Sequence, residues 1–176
     1  EMNNLRIGYW PNSKLLDAPG DRRRFIFYLE NKRLSYEVYN PSKRYDLVYL
    51  SQAADITQIK KIKKTGAKIF YDNIDPYSSE EFSFQSFFRG TARYLMGKSQ
   101  YPIINYTNFL NHIALPNVDA VVCASKEQLN ISRNFSSNVF CIPDHTHNEE
   151  ISLKTDYSSK KVINIAWEGL GSNVYQ

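Results

Sequence analysis

Apolar and polar positions along this chain fall into short blocks whose period changes in a regular order. Leu5-Arg6-Ile7-Gly8-Tyr9-Trp10 is a strand-like run, and Pro11 to Gly20 is a polar loop. Asp21 to Arg33 has helical composition, while Ser35–Tyr39 and Asp46–Leu50 are short β-branched and aromatic runs. Ile56, Ile59 and Ile62 place an apolar stripe on a lysine-rich helix that Gly66 ends. Ala67–Tyr71 reads as the next strand and Asp72 to Ser79 as a loop. Glu80 to Met96 and Ile103 to Leu115 are helical candidates, followed by a strand at Ala120–Ala124, a short helix at Lys126–Asn134 and a strand at Val139–Ile142.

Strands that alternate with helices, several of them continuous apolar runs, predict a mainly parallel sheet covered on both faces. The expected fold class is therefore α/β, a Rossmann-like three-layer sandwich. Asp144 to Ser159 is polar and without period, the composition of a linker. Lys161–Trp167 then reads as a new strand running into Gly169-Leu170-Gly171-Ser172-Asn173. The expected organisation is one domain over residues 1–159, with 144–159 linker-like, and the opening of a second α/β domain over 160–176.

Composition narrows the function classes. A chain of 176 residues with 42% hydrophobic and 23% charged positions is globular rather than disordered. A net charge of +4 suits contact with phosphates or an anionic membrane surface and does not point to a nucleic-acid partner. No apolar run approaches the roughly 18 residues needed to span a bilayer, and the N-terminus carries no basic-then-apolar signal. The expected location is the cytoplasm, with at most peripheral contact at the inner face of the membrane. Cys123 and Cys141 lie in apolar runs and read as reduced core residues.

Four motifs carry candidate chemistry. Asp17-Ala18-Pro19-Gly20-Asp21-Arg22-Arg23-Arg24 follows the first strand and opens a helix, where a doubly wound sheet holds ligands and free N–H groups favour anions. Consecutive helical residues cannot share a face, so one or two of the three arginines at most can enter one site. The plainer alternative is a turn followed by a solvated basic face. The loop lacks G-x-G-x-x-G spacing, which argues against a dinucleotide dehydrogenase. Asp72 and Asp75 come next; at a strand's carboxyl end they suit sugar hydroxyls, base chemistry or a cation, and equally a turn or helix cap.

The third motif is aromatic: Phe82, Phe84, Phe87, Phe88, Tyr94, Leu95 and Met96, interleaved with Arg89, Arg93 and Lys98. Positions 84, 87, 88 and 95 follow helical spacing, the usual mark of a helix packed into the core. A basic, aromatic amphipathic segment can instead lie on a membrane or hold a lipid-linked acceptor. Last, His145 and His147 lack further ligands and, like His112, read as structural, so no metal site is expected.

The order of these segments resembles the GT-B glycosyltransferases, especially glycosyltransferase family 4. The resemblance rests on the opening strand with its Gly20 loop, on Tyr45-Asp46-Leu47-Val48-Tyr49-Leu50 and on Lys68-Ile69-Phe70-Tyr71-Asp72-Asn73-Ile74-Asp75. Val118-Asp119-Ala120-Val121-Val122-Cys123-Ala124-Ser125, Val139-Phe140-Cys141-Ile142-Pro143-Asp144 and Ile163-Asn164-Ile165-Ala166-Trp167-Glu168-Gly169 continue it. It implies two facing Rossmann-like domains, with the nucleotide-sugar donor bound mostly by the C-terminal one and no cofactor besides that donor. The present chain would be the N-terminal half, holding a sugar or lipid-linked acceptor in polysaccharide or glycolipid synthesis. By that resemblance Pro19 and Gly20 face the donor phosphates, Arg22, Arg23 and Arg24 hold an acidic or phosphate-bearing acceptor, and Asp72 and Asp75 contact its hydroxyls. No catalytic residue is assigned, and the chain alone is expected to transfer no sugar. The rival expectation is a non-catalytic α/β binding or regulatory module of flavodoxin-like or receiver-like kind.

Overall fold

The computed structural model describes residues 5–74 and 84–144. The expected strand at 161–167 and most of the linker-like stretch lie outside the described residues.

The apolar runs become strands in the order expected. β1 (Ile7–Trp10), β2 (Glu37–Val38), β3 (Leu47–Leu50), β4 (Lys68–Asn73), β5 (Ala120–Cys123) and β6 (Val139–Cys141) form one sheet in the order β2-β1-β3-β4-β5-β6. Every pairing is parallel, so each connection crosses over and the fold is α/β and Rossmann-like. The chain moves one way from β1 to β2 and the other way from β1 to β3, which makes the β1–β3 junction a topological switch point.

Strand alternation sorts the side chains into two cores. On one face, Val48, Leu50, Ile69, Tyr71, Val121 and Cys123 pack beneath the helices between later strands. These are α2 (Ile59–Lys63, entered through a 3₁₀ turn at Ile56–Gln58), α3 (Phe84–Leu95), α4 (Tyr106–Phe109, continued as wider and tighter turns to Asn117) and α5 (Lys126–Ser132). α2 ends as its sequence predicts, at Gly66, whose φ of +88° few other residues tolerate. On the opposite face, Ile7, Tyr9, Tyr49 and Val122 pack with Phe25, Ile26 and Leu29. Those three come from α1 (Phe27–Lys32) and the π-helical segment Asp21–Ile26 that leads into it. Each fully buried aliphatic side chain is worth about 1.5–3 kcal/mol, so the two cores account for the order of the sheet.

Three sequence expectations are corrected. β4 runs on through Asp72 and Asn73, which are buried strand residues rather than the start of a loop. Gly20 is helical rather than the last residue of the polar loop: its φ is −63° and ψ −27°, values that any residue adopts. What constrains it is space, because a Cβ there would sit 2.9 Å from the Asn12 amide nitrogen and 3.3 Å from Ile74. Nor is the aromatic helix buried on every side: Phe88 and Leu95 on it, and Met96 just after it, are exposed.

At the amino end of the sheet, Asp119 fastens β5 to β4. Its carboxylate accepts from Lys68 Nζ at 2.9 Å and from the Ile69 N–H at 2.9 Å. Burial alone would raise this carboxyl, but the lysine and the backbone donor outweigh it and hold the group below its ordinary value. A depressed folded-state value means stability that is present above the unfolded value near 3.9 and is lost as pH falls through the folded one. Asp119→Asn is therefore expected to lower the urea midpoint modestly near neutrality and to flatten its acid limb, the two curves converging at low pH.

Candidate functional site

In open α/β sheets ligands bind beyond the carboxyl ends of the strands at a switch point. Here that region is built by β1, β3 and β4 and by the loop that leaves Trp10.

The loop is organised from beneath by Asp21, which is fully buried. Its carboxylate accepts hydrogen bonds from the Tyr9 hydroxyl, from the Asn12 N–H at 2.8 Å and from the Ser13 N–H at 3.0 Å. The Asn12 amide adds a further donor at 3.2 Å. Burial, and then Asp21 itself, push the Tyr9 hydroxyl far above its ordinary value, so it stays a donor. Sequence reading passed over Asp21 as the head of a basic tract, although an acid in the first turn of a helix was there to be read.

The three arginines separate as helical geometry demands. Arg22 and Arg23 are exposed, and Arg22 Nε donates to the Asp17 carbonyl at 2.9 Å. Arg24 turns inward beside Phe25 and meets Asp72, which projects from β4 on the same face of the sheet. Arg24 Nε lies 3.1 and 2.9 Å from the two carboxylate oxygens and Nη2 lies 2.6 Å from one of them, with both side chains almost wholly buried. Nη1 donates to the Ile142 carbonyl and to Asp144, each at 2.8 Å. Burial raises the Asp72 carboxyl, and the hydrogen bonds from Arg24 pull it back only in part. Two of the residues singled out from the sequence thus meet, and they neutralise each other. Pro19 is exposed and Gly20 half-buried at the helix start, where a side chain's Cβ would meet the Asn12 amide. Asp75, Phe82, His145 and His147 lie outside the described residues.

On the opposite side of β1 opens a cavity of about 580 Å³. Trp10 and Tyr39, stacked at 5.2 Å with 16° between their planes, supply its aromatic wall. Asn12 and Ser13, held by Asp21, and Gln58, whose amide donates to Asp55 at 3.1 Å, supply polar groups. Lys14 and Lys98 supply cations, and among the described residues no carboxylate lines it. A second concavity, of about 460 Å³, lies at the amino ends of β1 and β2 beside Arg6, Glu37 and Lys43. There Lys43 is already engaged by Glu37 at 2.5 Å, and the strand ends are the ones that doubly wound folds leave unused. The first cavity is the stronger candidate.

Gln58 and Lys98 escaped sequence reading because they reach the cavity from distant segments. Trp10 was visible only as the end of a strand. The carboxyl end of β4 is sealed by two amides: the Ile74 N–H donates to Gln52 at 3.1 Å, and Gln128 donates to the Ile74 carbonyl. His112 is exposed and sets its ring edge-on to Phe135 at 5.3 Å. Both cysteines are free thiols, and burial raises that of Cys123. Among the described residues no three His, Cys, Asp or Glu side chains cluster as metal ligands, and no helix is long and apolar enough to cross a membrane.

Comparison with protein-family models, with curated proteins and with solved structures finds no match for this chain.

Proposed function

We propose that this chain is the acceptor-side domain of a sugar-transferring enzyme of the GT-B kind. The observation that carries the reading is the cavity over the β1–β3 switch point, with its aromatic wall, fixed amides and paired lysines. Aromatic faces suit the apolar side of a pyranose ring, and amide and hydroxyl groups suit its edge. Lys14 and Lys98 favour an acceptor that carries a phosphate or carboxylate, the role the sequence reading assigned to Arg22–Arg24.

In the reaction, an acceptor hydroxyl would attack the donor's anomeric carbon as the bond to the leaving phosphate breaks. This chain's contribution is to hold that hydroxyl in one place, which lowers the entropic part of the barrier. Pro19 and Gly20, just ahead of the π-helical segment that leads into α1, would face the donor phosphates across the cleft. Stabilising the departing negative charge would fall largely to a facing domain.

The test is calorimetric titration of the chain with neutral and phosphorylated monosaccharides and with UDP-, GDP- and ADP-sugars. Phosphorylated sugars are expected to bind in the millimolar range, and Trp10→Ala to weaken them by at least about tenfold, or 1.4 kcal/mol. Nucleotide-sugars are expected to bind no tighter than that. Micromolar binding of a nucleotide-sugar would place the donor site on this half.

The strand order also favours one rival, because β2-β1-β3-β4-β5 is the flavodoxin-like order with its ligand at the β1–β3 switch point. Tight binding of a flavin mononucleotide or a free nucleotide in the same titrations would select that binding module instead.

A further inference from the structure

Half of the large hydrophobic side chains exposed among the described residues fall between positions 88 and 104. Phe88 is 64% exposed, Leu95 78% and Met96 67%, with Tyr94, Tyr101 and Ile104 also open to solvent. Phe88 and Leu95, seven residues apart on α3, share one face of that helix. Arg93 points the other way. Its Nη2 donates to the Ala53 and Ala54 carbonyls at 3.0 and 2.8 Å, and its guanidinium lies 5.5 Å from the Tyr106 ring centre. α3 is thus anchored by one face and presents an apolar one.

Within the two described stretches that carry this face, the charge has a single sign. No Asp or Glu occurs from Phe82 to Val118, a stretch that carries Arg89, Arg93 and Lys98. None occurs from Ile56 to Tyr71 either, where Lys60, Lys61, Lys63 and Lys64 are all exposed on or beside α2. The two stretches pack on the same face of the sheet and are tied where the Gln100 N–H donates to Thr57 Oγ1 at 3.2 Å. An apolar face whose neighbouring charges in these two stretches are cations matches a surface that offers apolar depth beneath a layer of negative charge.

From this complementarity we infer that the end of α3 docks on an anionic lipid bilayer. Leu95 and Met96 enter the headgroup region, and Lys98 and the α2 lysines meet lipid phosphates. Lys98 also lines the cavity, so docking sets the cavity beside the lipid surface. The inference stands or falls apart from the sugar reading, because its test turns on Leu95, Met96, Lys60 and Lys61, none of which lines the cavity.

Cosedimentation with sucrose-loaded vesicles tests it, using phosphatidylcholine alone and phosphatidylcholine mixed with phosphatidylglycerol. The chain is expected to pellet only with the anionic vesicles, and less as salt is added. Leu95→Ser with Met96→Ser should weaken partition at least about tenfold. Lys60→Gln and Lys61→Gln should each weaken it about fivefold. All four positions are exposed, so thermal melts of the variants should match the parent and separate lost docking from lost folding. No pelleting with anionic vesicles at low salt overturns the inference, as does pelleting that the Leu95 and Met96 changes leave intact. A dimer in sedimentation velocity that the same double change dissolves, without lipid binding, assigns the face to a second copy and overturns it too.

Discussion

Replacing Arg24 with methionine is expected to destabilise the domain by about 3–5 kcal/mol, read from urea unfolding followed by circular dichroism. The size follows from burial on both sides of the pair, 2% exposed for the Arg24 side chain and 1% for Asp72. Removing the guanidinium leaves a carboxylate in the interior with its strongest donors gone, which costs far more than losing a surface pair. Replacing both partners, Arg24→Met with Asp72→Leu, is expected to recover much of that loss, since no stranded charge remains. The coupling between the two sites should therefore be large in a double-mutant cycle. The loss also has a pH signature. Burial already raises the Asp72 carboxyl, and without Arg24 it rises further. A folded-state value above the unfolded one means stability that is intact below the unfolded value and declines as pH climbs through the folded one. The Arg24→Met variant should accordingly be weaker at about pH 8 than at about pH 5. An unfolding midpoint unchanged by the substitution would show that the pair is not closed in solution.

The second large effect is expected at Asp21. Asp21→Ala removes the common acceptor of the Tyr9 hydroxyl, two backbone N–H groups and the Asn12 amide, all gathered on one buried carboxylate. A loss of about 3 kcal/mol is expected, because hydrogen bonds to a buried charge are strong and their donors cannot all find water. The change should be uneven across the molecule. Amide exchange at Asn12 and Ser13 should rise by about a hundredfold, while exchange in β3 and β5 tracks global stability alone. Asn12 and Ser13 line the cavity, so ligand binding there should fail at temperatures where the sheet remains folded. Uniform loss of protection instead would mean that the loop is held by something other than Asp21.

Much of the architecture was legible because parallel strands announce themselves. Val48, Leu50, Ile69, Tyr71 and Val121 belong to runs buried on both sides, and such runs read as continuous apolar blocks whatever their neighbours. Asp72 and Asn73 were misread for the opposite reason. A polar pair looks like a loop, and only residues 48 and 59 positions away explain its burial: Arg24 for Asp72, and Ser132, whose Oγ lies 3.1 Å from the Asn73 amide. The choice among the arginines was closer to hand. Asp21, Arg24, Phe25 and Leu29 repeat at helical spacing and are all buried, so the inward arginine could be picked from the stripe it shares with apolar residues. The cavity could not, because Trp10, Gln58 and Lys98 meet only once three crossovers have closed.

Arg24 also imposes an order on synthesis. The residue leaves the ribosome 48 positions ahead of the carboxylate that neutralises it, and 118 ahead of the carbonyl at Ile142 that completes its hydrogen bonds. A nascent chain therefore carries α1 with a cation that has no interior to enter until β4 has emerged, and its cover over the sheet cannot close before then. Because no two strands of this sheet are joined by a hairpin, nothing local can stand in for the missing partners during that interval. Nascent chains of this topology are slow to acquire their contacts and expose apolar surface while they wait.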